Sequence, residues 1–338
     1  MVTFTFADLT TMRVGGPVGR LHVPETTPQV LELLRQVTRE GDPLLVMGGG
    51  SNLVVGDNGW PGVVIKMASS EFDIDGELVR AAAGVVWDDV VDATVRAGLA
   101  GLEALSGIPG LVGGAPVQNV GAFGTVTSDV LESLSVYDRQ TCQLERWTLD
   151  RCGFGSHRQS VFKRNDRWAV VDVTFRLRRS GQSRPVDYVE LARALEIEVG
   201  GTAPPAEVRA AVLALRRSRA MILDAHDHDT WSVGSFFVNP VLAEVPERAR
   251  DCPRYPDVKG TKLPAAWLIE HAGFPRGYGR DWGNGTVALS SRHALALTNR
   301  GGATTAEVMK FAAHIRDGVE ASFGIRIDPE CDLINCSF

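Results

Sequence analysis

At 338 residues, with 44% hydrophobic and 22% charged residues, the chain is long enough for two or three domains and has the composition of a soluble globular protein. A net charge of −6 excludes a nucleic-acid surface, because phosphate backbones need clustered Lys and Arg, and the basic runs present, such as residues 176–179, are short enough to read as a solvated face. No apolar run reaches membrane-spanning length and residues 1–20 lack a basic start followed by an apolar stretch, so no membrane partner and a cytoplasmic location are expected.

Residues 27–39 open with Thr27 as a cap candidate and Pro28 at the first helical position. Val30, Leu33, Leu34 and Val37 then recur at helical spacing, which predicts a helix with one buried face. Short apolar runs at 44–47 and 63–65 follow, then a hairpin over 72–80 turning at Asp75 and Gly76. Trp87, Val90, Val91, Thr94 and Val95 form the next amphipathic helix, which ends at Gly98. Residues 134–137, 144–148 and 168–177 are strand-like, the last alternating Val171, Val173, Phe175 and Leu177 on one face. Beyond a linker at 181–185, helices are predicted over 188–195 and 206–217, a strand over 232–241, and a helix over 263–272 ended by Gly273. Strands at 287–289 and 294–298 precede a long amphipathic helix over 305–323, and 325–327 closes the pattern.

Two clusters of histidine, cysteine or carboxylate invite a metal reading. The five cysteines are scattered with no C-x-x-C pair, and the run DAHDHD at 224–229 reads as an acidic loop between a helix and a strand, so no metal is expected.

The chemistry is expected from two glycine-rich stretches. Residues 98–124, GLAGLEALSGIPGLVGGAPVQNVGAFG, carry a single charged residue and are too rich in glycine for an ordinary helix or strand. Gly48, Gly49 and Gly50, followed by Ser51 and Asn52, form the second. Glycine lets backbone N–H groups approach a ligand that a Cβ would hold away, and successive N–H groups in turns bind anions. Two such loops point to a large phosphate-bearing cofactor, although neither is a GxGxxG or GxxxxGK[ST] pattern.

The motifs TMRVGGP (11–17), GGGSN (48–52), SGIPGLVGGAPVQNVGAFG (106–124), HRQSVFK (157–163), GSFFVNP (234–240), KLPAAWLIE (262–270) and PE (329–330), in that order over nearly the whole chain, resemble the MurB family, the UDP-N-acetylenolpyruvoylglucosamine reductases. The resemblance implies an α+β protein. It has a two-lobed FAD-binding domain of the vanillyl-alcohol-oxidase or PCMH type at 1–67 and 68–180, a linker with helices at 181–217, and a smaller α+β domain binding a UDP-sugar at 218–338. It implies FAD as cofactor and NADPH as co-substrate. FAD is expected at Gly48, Gly49, Gly50, Ser51, Asn52, Gly107, Ile108, Pro109, Gly113, Gly114, Ala115, Gln118, Asn119, Gly121 and Ala122. Ser235 matches the family's proton donor, Arg158 and Glu330 its two other active-site charges, and Asn239, Tyr255 and Lys262 its contacts to the uridine and phosphates. Tyr188 falls near a tyrosine that covers the pyrophosphate in one subclass.

The chain departs from the family where FxYR is usual: Phe154-Gly155-Ser156-His157-Arg158 has one extra residue, and histidine replaces tyrosine before the arginine. Val238 and an apparent insertion at 280–284 are further departures. They leave two alternatives open: a flavoenzyme of the same fold acting on another substrate, or a non-redox protein that keeps the fold.

Overall fold

The structure, a computed structural model, describes residues 4–155, 159–163 and 165–338. The chain divides into two compact units: one contains Arg20–Gly49 and Gly62–Ser218, the other the residues through Gly19 with Gly50–Pro61 and Arg219–Phe338. The sequence-expected first lobe, 1–67, is split by this division.

In the unit holding Gly62–Ser218, Leu44–Met47 runs parallel to Trp60–Lys66, with Val18–His22 as the third strand of that sheet. The Thr27–Glu40 helix packs on it because Val30, Leu34 and Val37 share a core with Leu44, Val63 and Ile65. Its cap is Thr26, one residue ahead of the expected Thr27, and Gly41 closes it in the left-handed conformation at φ 74°. A second, five-stranded antiparallel sheet has the order Gln143–Trp147, Leu131–Asp138, Trp168–Arg176, Leu78–Ala82, Phe72–Asp75. The expected hairpin is present, with Asp75 paired to Leu78 across Gly76 and Glu77. The Trp87–Arg96 helix buries Trp87, Val90 and Val91 in the core of this sheet, where Trp87 meets Phe175 edge-on. Two further helices, Val189–Ala194 and Pro205–Ser218, join through Leu191, Val208 and Val212.

The other unit is built on the Thr305–Phe323 helix, whose bounds match those predicted. Its buried face, including Val308, Phe311, Ile315 and Val319, packs with Phe236, Phe237, Leu268 and Leu289. Thr304 and Glu307 form a capping box, and Asp57 accepts hydrogen bonds from the Thr305 and Ala306 amides at 2.8 and 2.9 Å. The Ala265–His271 helix and the antiparallel pair Val287–Leu289 with Leu297–Asn299 complete the core.

Two expectations are corrected here. Residues 232–241 do not form a continuous strand: Ser232 Oγ accepts the Gly234 amide, Gly234 turns at φ 74°, and only Phe237 bridges to Pro329. The closing strand is Asp332–Ile334, parallel to Leu53–Val55, rather than 325–327.

The DAHDHD run serves the fold. Asp229, its side chain 6% exposed, accepts from Ser290, Ser291, Arg292 and Arg300. Burial pushes its carboxyl up, but the Ser291, Arg292 and Ser290 hydrogen bonds together outweigh it and hold the group below the ordinary aspartate value. A depressed native value stabilises the fold above the unfolded pKa of about 3.9 and is lost as pH falls below it. Asp229→Asn is therefore expected to cost about 2–3 kcal/mol in urea unfolding at pH 7, with the difference from the parent shrinking below about pH 4.

Candidate functional site

The glycines of residues 106–124 do different work. A Cβ on Gly49 would sit 3.1 Å from the Gly110 Cα, and one on Gly48 would touch Leu111, so the two glycine-rich stretches meet backbone to backbone. Gly113 is tight against Ala83 and Gly121 against Val126, both at 2.6 Å from an added Cβ. Gly114 differs: it is exposed and a Cβ there has no described protein atom within 4 Å. It opens the short Gly114–Val117 helix, in which Ala115 is buried. Gly121–Ala122 pairs with Thr125–Val126 through Phe123 and Gly124, both at positive φ, 50° and 84°. Asn119 is also held at φ 38°, and its side-chain oxygen accepts the Ser128 amide at 2.9 Å.

Gly107 and Gly110, at φ 69° and 124°, bracket half-buried Ile108 and Pro109. Gln118 accepts a hydrogen bond from Lys163 at 3.2 Å, and Ser160 donates to the Val117 carbonyl at 2.7 Å, so the end of the HRQSVFK motif is anchored to the end of this helix. Lys163 went unassigned in the sequence, since a single lysine carries no spacing signal. Arg158, with Ser156 and His157, lies outside the described residues.

In the other unit, Gly50 is packed so closely on Leu9 that a Cβ would lie 2.4 Å from its carbonyl oxygen. Ser51 and Asn52 follow, and Asn52 accepts the Asp332 amide at 2.9 Å through its own carbonyl. The Asn52 side-chain Nδ2 is buried and has no hydrogen-bond partner among the described residues. A buried orphan donor calls for a ligand or water acceptor. Such a donor fits a cofactor rich in oxygen acceptors, which is what FAD presents.

Backbone pairing joins the segment that carries Ser235 to the segment that carries Glu330. Glu330 N donates to Phe236 O at 2.8 Å and Val238 N to Asp328 O at 2.9 Å, on either side of the Phe237 and Pro329 bridge. Phe236 N in turn donates to Leu295 O, and the buried Phe236 and Phe237 rings fix the segment from below. Lys262 lies between Val241 and Tyr255 in a small antiparallel sheet, and Asn239 is joined to the same region by accepting the Ala265 amide at 2.9 Å. Asn239 thereby caps the Ala265–His271 helix, a duty its motif did not reveal. Tyr188 belongs to the first unit, where its ring sits edge-on to Phe123 at 5.3 Å.

One unit carries a parallel and an antiparallel sheet with glycine turns and the other a serine and a carboxylate on paired segments, an α+β chain that its similarity to known proteins defines as a flavoprotein. Residues 20–145 match the family model described as FAD binding domain, and 226–334 that of the UDP-N-acetylenolpyruvoylglucosamine reductase, C-terminal domain. The UDP-N-acetylenolpyruvoylglucosamine reductase of Thermobifida fusca is 48% identical over 97% of this chain and 96% of its own length. That of Mycobacterium marinum is 50% identical over 98% and 94%. A crystal structure of the MurB reductase from Thermus caldophilus shares the fold, with a TM-score of 0.68 at 24% identity over 98% of both chains. The chain belongs to the UDP-N-acetylenolpyruvoylglucosamine reductase family, MurB.

Proposed function

We propose that the protein reduces UDP-N-acetylglucosamine enolpyruvate to UDP-N-acetylmuramate, with FAD as cofactor and NADPH as co-substrate, in the synthesis of peptidoglycan precursors. The observation that carries this reading is near-half identity to reductases of that name across both units. The same relation favours this substrate over a repurposed one, since it spans the residues of both halves rather than the FAD-binding half alone. No helix among the described residues is long and apolar enough to cross a membrane, and we place the enzyme in the cytoplasm, where nucleotide-sugar substrates are made.

Bound FAD supplies hydride chemistry that no side chain offers. The chain's own residues supply the rest. Ser235 delivers a proton to the carbon next to the one that receives hydride; a hydroxyl is a weak acid, so it must be held close and shielded from water, which the buried Phe236 and Phe237 beside it favour. Arg158 clamps the enolpyruvyl carboxylate through two parallel hydrogen bonds and stabilises charge developing there. Glu330, whose amide bonds the Phe236 carbonyl, orients the substrate or relays the proton. Lys262, Tyr255 and Asn239 hold the uridine diphosphate, with Lys262 as a point charge on phosphate, and Tyr188 covers the pyrophosphate. The glycine stretches, with Ser51, Asn52, Gln118 and Asn119, hold FAD.

The test is NADPH oxidation by the purified yellow protein, which the enolpyruvyl sugar nucleotide should stimulate; oxidation indifferent to that compound removes the assignment. Arg158→Lys keeps the charge but loses the paired contact, so kcat/KM should fall by about 2 kcal/mol, roughly 30-fold. A nearly silent substitution would mean that the extra residue ahead of Arg158 has taken the guanidinium off the substrate.

A further inference from the structure

The Pro205–Ser218 helix reads in the sequence as part of a connection, yet Arg216 on it bonds Gly107 of the glycine-rich stretch and Arg209 bonds Asp88, which holds the same residue. Asp88, in the first turn of the Trp87–Arg96 helix, accepts the Gly107 amide at 2.6 Å. Both its carboxylate oxygens also accept from Arg209, at 2.7 and 2.9 Å, in a two-pronged pair. Arg209 Nε lies 3.2 Å from Asp92 one turn further on. On the other side of the same residue, Arg216 Nε donates to the Gly107 carbonyl at 3.1 Å, and Arg216 is only 7% exposed. Both polar groups of Gly107 are thus held by charged side chains, at a left-handed φ of 69°. The turn is tied to the Trp87–Arg96 helix again by Trp87, whose indole donates to Leu105 O and whose amide donates to Gly110 O.

Arginine on an amphipathic helix normally lies along the solvated face, and a surface pair contributes little. Here the arrangement is different in kind. Burial pushes the Asp88 carboxyl up, but the hydrogen bonds from Arg209 and Gly107 and the charges of Arg209 and Arg216 outweigh it, so the group is ionised at neutral pH and the network is charged throughout. Hydrogen bonds to charged partners are stronger than those between neutral groups and hold their partners more narrowly. What they hold is one peptide of a turn that otherwise owes its shape to glycine.

We propose that Asp88, Arg209 and Arg216 are positioning residues for the flavin: through them the Pro205–Ser218 helix fixes the Gly107 turn in the shape that retains FAD. The proposal rests on the flavin reading above and adds to it three residues outside the glycine motifs. Loss of Arg216 frees the Gly107 carbonyl, loss of Arg209 takes from Asp88 the partner that steadies its hold on the Gly107 amide, and in both the cofactor leaves faster without any contact of its own having been removed.

The experiment is the rate at which FAD fluorescence recovers when purified holoprotein is diluted, for the parent, Arg209→Met, Arg216→Met, Arg209→Lys and, as a control on the same helix, the exposed Arg217→Met. Both Arg209→Met and Arg216→Met should release FAD about tenfold faster or more. Arg209→Lys, which keeps the charge but not the fork, should fall between them and the parent, and Arg217→Met should match the parent. Activity lost on dilution should return on adding FAD, which a misfolded fraction would not allow. If the methionine variants do not fold, Arg209→Lys and an Arg216→Lys variant carry the test. Release at the parental rate from every folded variant, with only a lower melting temperature, overturns the proposal and leaves the flavin reading standing. A parent protein that takes up no FAD overturns both.

Discussion

In Ser235→Ala, reduction of the enzyme by NADPH should proceed at the parental rate, while reoxidation by the enolpyruvyl sugar nucleotide slows by something like 10²- to 10⁴-fold. The substitution removes a hydroxyl and leaves the surrounding chain in place. The Phe236 amide still bonds Leu295 O, Glu330 still bonds Phe236 O, and the rings of Phe236 and Phe237 remain buried. On the proposed mechanism, what is lost is the proton donor to the substrate carbon, a group needed in one half-reaction only. Stopped-flow absorbance of the flavin in each half-reaction separates the two. Equal slowing of both would show a general fault in the site, and no slowing of either would move proton donation to another group, with Glu330 the neighbour to test next.

The second large effect is expected at Gly114. Valine there should lower FAD affinity on the order of 10²-fold or abolish binding, because branched methyls would occupy space that the backbone leaves for the cofactor. The position is diagnostic because a Cβ on Gly114 meets no neighbouring described residue within 4 Å, so loss of FAD from a folded variant points to space taken from a ligand. Gly121 lacks this property. An added Cβ there lies 2.6 Å from Val126, and valine would disturb the Gly121 and Val126 pair before any flavin was reached. Purified Gly114→Val should thus be folded and colourless. A yellow variant with stoichiometric FAD would take Gly114 out of the binding surface.

What could be read from the sequence follows from how local each signal is. The Thr305–Phe323 helix was legible to the residue because periodicity, a capping box and Gly324 all lie within it. The glycine stretches were legible because the backbone chemistry they perform requires glycine in the sequence itself. The 232–241 segment was misread because its apolar residues look like a strand, while the turn at Gly234 depends on a single Ser232 hydrogen bond. Asp332–Ile334 was missed since the strand it pairs with, Leu53–Val55, lies at the other end of the chain.

The candidate site shows the same division. Ser235 and Glu330 are proposed from their motifs, while the pairing of Phe236 with Glu330 that joins their segments has no sequence signature. Asp229 looked like part of an acidic loop because Arg292 and Arg300, which hold it, are more than sixty residues away. Nothing in the sequence links Asp88 to Arg209; the fold sets Asp88 between Arg209 and the Gly107 amide, with Arg216 on the Gly107 carbonyl. Motifs record residues that meet a ligand; residues that hold those residues in place are spread through the chain.

The most direct test of the central claim is a single-turnover experiment in which the protein is first reduced anaerobically by one equivalent of NADPH and then mixed with UDP-N-acetylglucosamine enolpyruvate. The account predicts that the flavin absorbance near 450 nm, the usual region for an oxidised flavin, returns in step with the formation of one equivalent of UDP-N-acetylmuramate. Flavin that NADPH reduces but that stays reduced in the presence of this substrate would contradict it.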